Sequence, residues 1–178
     1  MKHSAIKYNE ELYHNGITDF YFSGMKKGVL DIETTGLDPS RNKFILGGLY
    51  DCESRTMHQY FAENRTQEQE ALDGFISRLQ DVDMVLTYNG RHFDIPFIEK
   101  RLRKASEVSG SVSGTHLPAE TYSMPYNLDL YLVLNGHSPV RRFVPNMKQK
   151  TIENYMGLWQ DRKDEISGAE SAELYVRY

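Results

Sequence analysis

The stretch VLDIETTGL, residues 29–37, decides how this chain is read. Its apolar positions and closing Thr-Thr-Gly suit a buried strand running into a turn, but Asp31 and Glu33 do not suit such a strand. Successive side chains of a strand point to opposite faces, so the two acids share one face while Leu30 and Ile32 share the other. Two carboxylates side by side on an apolar strand repel one another and lose hydration, which is expensive unless positive charge lies between them. A divalent cation would supply that charge. Oxygen ligands with no His or Cys nearby favour Mg²⁺ or Mn²⁺ over zinc. The bland reading is a frayed edge strand whose acids face water. Against it, the turn that follows at once puts both acids at the C-terminal end of the strand, where ligand sites of α/β sheets gather.

Outward from this strand, residues 28–33, the pattern predicts a second strand at 44–51 and a third at 55–62, joined by turn-rich gaps into an antiparallel meander. From Thr66 the period changes: Leu72, Phe75, Ile76 and Leu79 recur at helical spacing, with Thr66 as the expected N-cap and an end near Gln80. Residues 82–88 form a short strand closed by Asn89-Gly90, and residues 94–104 a second helix with Pro96 in its first turn. Residues 106–121, rich in Ser, Gly and Thr, read as a long mobile loop. Residues 126–134 fit a strand or a helix, 148–156 a helix stopping at Gly157, and 170–178 the start of a last helix. The fold class is therefore α/β, a mixed sheet with helices packed on it.

The bulk numbers bound the function. With 178 residues the expectation is one domain, 1–178. Lys and Arg number 21 against 25 Asp and Glu, a net charge of -4 that does not suit a protein coating nucleic acid by bulk electrostatics. A polyanion would have to be gripped locally. The single cysteine, Cys52, excludes an internal disulfide framework, suits a reducing, cytoplasmic setting and reads as buried filler rather than a nucleophile. No apolar run approaches the ~18 residues of a membrane span, so no membrane partner is expected.

A third acid comes with TYNGRHFDIPFI, residues 87–98. Taken alone, Asp94 is an N-cap carboxylate at the start of a helix, and Phe93 a core aromatic. Taken together, DIETTGL and YNGRHFDIPF resemble the first two motifs of the 3′–5′ exonucleases of RNase H-like fold, the superfamily named for its Asp-Glu-Asp-Asp acids. The resemblance is stronger to the YprB-type exonucleases, through Asp129-Leu130 in NLDLYLVL, the Lys-Thr-Ile-Glu helix at 150–158 and the stretch from Asp164 to Tyr178.

This resemblance implies that Asp31, Glu33 and Asp94 are catalytic metal ligands for Mg²⁺ or Mn²⁺, two ions in the family and one if the ligand set is short. It also implies that Thr34, Gly36 and Leu37 meet the terminal nucleotide of a single-stranded 3′ end, with Asn89 in support. The family requires a fourth acid in a third motif, an Asp four residues after Tyr or five after His. No Tyr-x-x-x-Asp occurs, and the one His-x-x-x-x-Asp, His14 to Asp19, precedes the first motif. The expectation is a domain truncated at its C-terminal end, without the third-motif helix. Asp161, Asp164 and Glu165 are weak substitutes in a charged segment.

Two basic clusters offer a local grip on a polyanion. Lys100, Arg101, Arg103 and Lys104 lie near the expected end of the second helix, where they equally suit the helix dipole. Arg141, Arg142, Lys148 and Lys150 border Phe143, a mixture that can track a strand and stack a base. Arg101 and Arg142 are thus candidate substrate contacts. Three functions compete: a nuclease domain acting on DNA or RNA, a catalytically incomplete nucleic-acid-binding module, and a small-molecule phosphoesterase, which would not need the basic clusters.

Overall fold

A computed structural model of the chain describes residues 22–64, 66–108, 122–158 and 168–177. Five strands form one mixed sheet: β1 (Lys27–Thr34), β2 (Phe44–Asp51), β3 (Thr56–Phe61), β4 (Met84–Thr87) and β5 (Tyr126–Asp129), in the order β3-β2-β1-β4-β5. β1 pairs antiparallel with β2, and β2 with β3, so the expected meander is present. β4 runs parallel to β1, and β5 parallel to β4. The C-terminal ends of β1, β4 and β5 therefore meet at one edge of the sheet, and β1, which carries the DIET acids, is the central strand.

Helix α1 (Glu68–Leu79) forms because Ala71, Leu72, Phe75, Ile76 and Leu79 line one buried face. Its N-cap is Gln67 rather than the expected Thr66. Thr66 is diverted: both its N–H (3.0 Å) and its hydroxyl (2.5 Å) donate to Asn64 Oδ1, a local turn that competes with capping. The face meets β2 and β3 closely. A Cβ on Gly47 would lie 2.5 Å from the Phe75 ring, so glycine is what lets the helix settle on β2. Helix α2 (Asp94–Val108) adds Phe97, Ile98 and Leu102 to the same core as Leu30, Ile32, Phe44, Leu49 and Val85. Phe93 packs against this core with its ring 5.8 Å from that of Phe97, as its core reading expects.

Helix α2 continues through residues 105–108, which the sequence assigns to the polar side of a boundary. The basic residues 100–104 consequently lie before the last turn and do not complement its dipole. The remainder of the expected loop, 109–121, falls outside the described residues. The ambiguous stretch 126–134 is both things in succession: β5 ends at Asp129, which caps α3 (Leu130–His137) by accepting from Tyr131 N–H. A 3₁₀ turn (Pro139–Arg142), α4 (Gln149–Tyr155) and α5 (Gly168–Arg177) follow. Gly157 ends α4 at φ +72°, the left-handed conformation that glycine adopts without penalty. Cys52 is only partly buried, in the β2–β3 turn, which corrects its reading as core filler. Burial raises its thiol pKa, so it is a poor nucleophile.

Candidate active site at the end of the central strand

The burial alternation of β1 follows from its pleat. Gly28, Leu30, Ile32 and Thr34 are buried beneath the helices, whereas Val29, Asp31 and Glu33 point to the other face and are exposed or half-buried. Pairing with β2 slips between Glu33 and Thr34. Such an irregularity re-aims the side chains beside it. Beyond it the chain closes a compact loop. Thr34 Oγ1 donates to Gly36 O at 2.8 Å, and Thr35 N–H donates to Lys43 O at 2.9 Å while Thr35 Oγ1 accepts from Lys43 N–H at 2.8 Å. A Cβ on Gly36 would fall 2.7 Å from Asn42 Oδ1, so the glycine lets the loop fold onto Asn42. Leu37, in this loop, is 81% exposed, a large apolar side chain held out in solvent.

Asp94 reaches the same place from the start of α2. The parallel pairing of β1 with β4 ends at Val29–Leu86, so β1 outruns its neighbour. Asp94 Oδ1 accepts the N–H of Ile32 at 3.2 Å in the space beyond. The acid is thus tied across 62 residues to the strand that carries Asp31 and Glu33, which goes beyond a local helix cap. It is 5% exposed. Burial, then the charge of Asp31, pushes its carboxyl up to about 7, against the pull of backbone N–H groups. Burial and Asp31 likewise raise Glu33. Asp31 therefore lies within electrostatic reach of both Glu33 and Asp94. Among the described residues, no three His, Cys, Asp or Glu side chains converge as a ready-made metal cage. The acids nonetheless suit a hard cation, which can be held by one or two carboxylates and its own waters. Their mutual repulsion is what a cation would relieve.

The turn that delivers Asp94 is built by a residue that sequence reasoning did not assign to the site. Asp129, 4% exposed, accepts from Asn89 N–H at 2.9 Å, Arg91 N–H at 3.0 Å and Tyr131 N–H at 3.0 Å. Asn89 sits at φ +66°, and a Cβ on Gly90 would lie 2.4 Å from Thr87 Cβ, so Asn-Gly is needed to make this turn. The signal for Asp129 was present as an Asp immediately before an apolar helical run, an N-cap pattern. That it also clamps a turn 38 to 40 residues earlier could not be read there.

The remaining candidates separate. Asn89 lies in the clamped turn beside Asp94, and Arg142 is exposed on the 3₁₀ turn at a different part of the molecule. Arg101 corrects the expectation of a substrate contact. Its guanidinium is turned inward onto Glu68, Nε to Oε1 and Nη2 to Oε2 both at 2.7 Å, and Nη1 donates to Pro39 O at 3.2 Å. Bidentate carboxylate pairing in the interior outcompetes a solvated position for this arginine. Asp161, Asp164, Glu165, His14 and Asp19 lie outside the described residues.

The fold is shared with a solved family B DNA polymerase from the hyperthermophilic archaeon Pyrobaculum calidifontis. The two superpose at a TM-score of 0.65 with 19% identity, over 85% of this chain and 21% of the polymerase chain. This chain thus corresponds to about a fifth of that protein's length. No match was found among curated proteins. No helix of the described residues is long and apolar enough to cross a membrane. The RNase_H superfamily model RNase_H_2 matches residues 29–178, a span that opens on the DIET strand and takes in every element described, and the chain belongs to that family.

Proposed function

We propose that the chain is a metal-dependent nuclease domain of the YprB type that hydrolyses phosphodiester bonds of DNA or RNA in the 3′–5′ direction. The observation that carries this reading is the acid group at the end of β1: Asp31, Glu33 and a buried Asp94, with Asp31 near enough to raise the pKa of both of the others. Asp31, Glu33 and Asp94 would hold Mg²⁺ or Mn²⁺. When bound, such a cation supplies Lewis-acid stabilisation of a phosphoryl oxygen and activation of water.

The chain's own contribution is positioning. The clamp on the 89–91 turn and the Ile32 N–H fix Asp94 relative to β1, so that the acids are preorganised. The closed 34–43 loop presents Leu37 and the backbone around Gly36 to the terminal nucleotide, with Thr34 shaping the loop from beneath. Asn89 flanks the same edge. An exposed apolar side chain on the loop that follows the acid-bearing strand suits a substrate with a base or sugar face on one side and a phosphate on the other.

A specific observation favours a second reading, a nucleic-acid-binding module with an incomplete catalytic set. The described residues lack a three-acid cage, and no third-motif spacing follows the second motif in the sequence. The two readings part in one assay. A 3′-labelled single strand incubated with Mn²⁺ should release labelled mononucleotide with the wild type and at least ~100-fold more slowly with Asp31→Asn, the scale of loss for a group stabilising transition-state charge. Retained binding without release would support the module instead.

A further inference from the structure

The basic cluster around Phe143 is built differently from the one on α2. Phe143 and Tyr155 lie with ring centroids 6.3 Å apart and planes within 8° of parallel, and both are exposed, by 63% and 49%. Buried packing does not explain two large near-parallel rings held at the surface. Arg141 and Arg142 directly precede Phe143, Lys148 opens the helix that ends in Tyr155, and all three are exposed and form no ion pair with any described residue, although the protein carries a net negative charge.

The segment is also held firmly. Ser138 Oγ accepts from Val140 N–H at 3.2 Å, and Phe143 N–H donates to Val140 O at 2.8 Å. Asn146 Oδ1 accepts from Lys148 N–H at 3.0 Å and from Thr151 Oγ1 at 2.8 Å, fixing the entry to α4. A tie connects it to the acid edge. Tyr88, next to the clamped Asn89, donates its hydroxyl to Met147 O at 2.6 Å, and its ring meets that of Tyr131 edge-on at 5.9 Å. Beside this tie lies a cleft of about 290 Å³, lined by Tyr131, Asn135, Arg141 and residues 144–147.

We propose that the Phe143–Tyr155 ring pair, with Arg141, Arg142 and Lys148, is a second binding site that stacks unpaired bases and grips the phosphates of single-stranded nucleic acid, away from the acids at which hydrolysis would occur. The chemistry selects the ligand. Aromatic faces at the surface reward exposed bases, which a duplex keeps stacked internally, and the exposed cations reward the backbone between them. The inference rests on the nucleic-acid reading of the fold, but it is a claim about binding and is separable from turnover.

The test is fluorescence anisotropy of the full chain with a labelled dT12 strand in EDTA, where hydrolysis is suppressed. Phe143→Ala/Tyr155→Ala should weaken binding roughly ten-fold or more, on the scale of base–aromatic stacking. Phe143→Trp should bind like the wild type, and a strand of abasic sites with the same charge should bind the wild type as weakly as dT12 binds the double variant. Because both rings are exposed, the variants should keep the wild-type unfolding midpoint. Wild-type binding that ignores the loss of both rings, equal affinity for the abasic strand, or no affinity for dT12 would each overturn the platform. Absence of nucleotide release in Mn²⁺ with ring-dependent binding intact would defeat the nuclease reading and leave the platform standing.

Discussion

Glu68 and Asp94 are buried to nearly the same degree, 6% and 5% exposed, at the starts of the two helices that cover the sheet. Their surroundings are opposite. Glu68 is compensated in full: Arg101 binds both its oxygens, Lys43 Nζ lies 3.1 Å from Oε2, and Phe44 N–H donates to Oε1 at 2.9 Å. Asp94 faces Asp31 and has backbone N–H groups for partners, and its carboxyl rises to about 7. A buried acid with its own arginine holds a fold together, whereas a buried acid set among other acids is built for something positive that arrives from outside.

Removing the compensation should break the contrast most forcefully. Arg101→Ala leaves Glu68 buried with the part-exposed Lys43 and the Phe44 N–H for partners and should lower unfolding free energy by roughly 3 to 4 kcal/mol in urea denaturation. A loss below about 1 kcal/mol would mean that Glu68 is no better compensated than Asp94. Asp129→Ala comes next. Three backbone N–H groups lose a charged acceptor, for an expected loss of roughly 3 kcal/mol, and the turn carrying Asp94 loosens. Its mark is that Mn²⁺-dependent stabilisation falls together with stability, whereas Arg101→Ala should leave the metal response intact.

The smallest effect has the opposite sign. With the carboxyl of Asp94 raised in the folded state, that state holds a proton which the unfolded chain releases near pH 4. Stability from this group is present below about pH 4 and is lost as pH rises toward 7, a penalty on the order of 4 kcal/mol when complete. Asp94→Asn should therefore stabilise the metal-free protein at pH 8, by roughly 2 kcal/mol once the weaker bond to Ile32 N–H is counted, and should do nothing at pH 4. Denaturation in EDTA at the two pH values checks this. A destabilised variant at pH 8 would show that Asp94 is satisfied much as Glu68 is.

What the sequence by itself determined is what local periodicity and short motifs encode. The alternation in VLDIETTGL fixed which face Asp31 and Glu33 share, the turn residues between 34 and 55 fixed the meander, and the two acid motifs pointed to the family that the whole span 29–178 matches. Tertiary structure decided every matter of partnership across distance. Arg101 turned from a surface cation into the partner of Glu68, 33 residues away, and Asp129 became the clamp beneath Asp94. Tyr155 met Phe143 across a helix and a loop to make an exposed pair of near-parallel rings that neither residue announces alone. The physical reason is the same in each case. Strand pleat and helix period are set by neighbours along the chain, whereas the state of a charge or a ring is set by whatever the fold brings against it, and only the closed sheet specifies that.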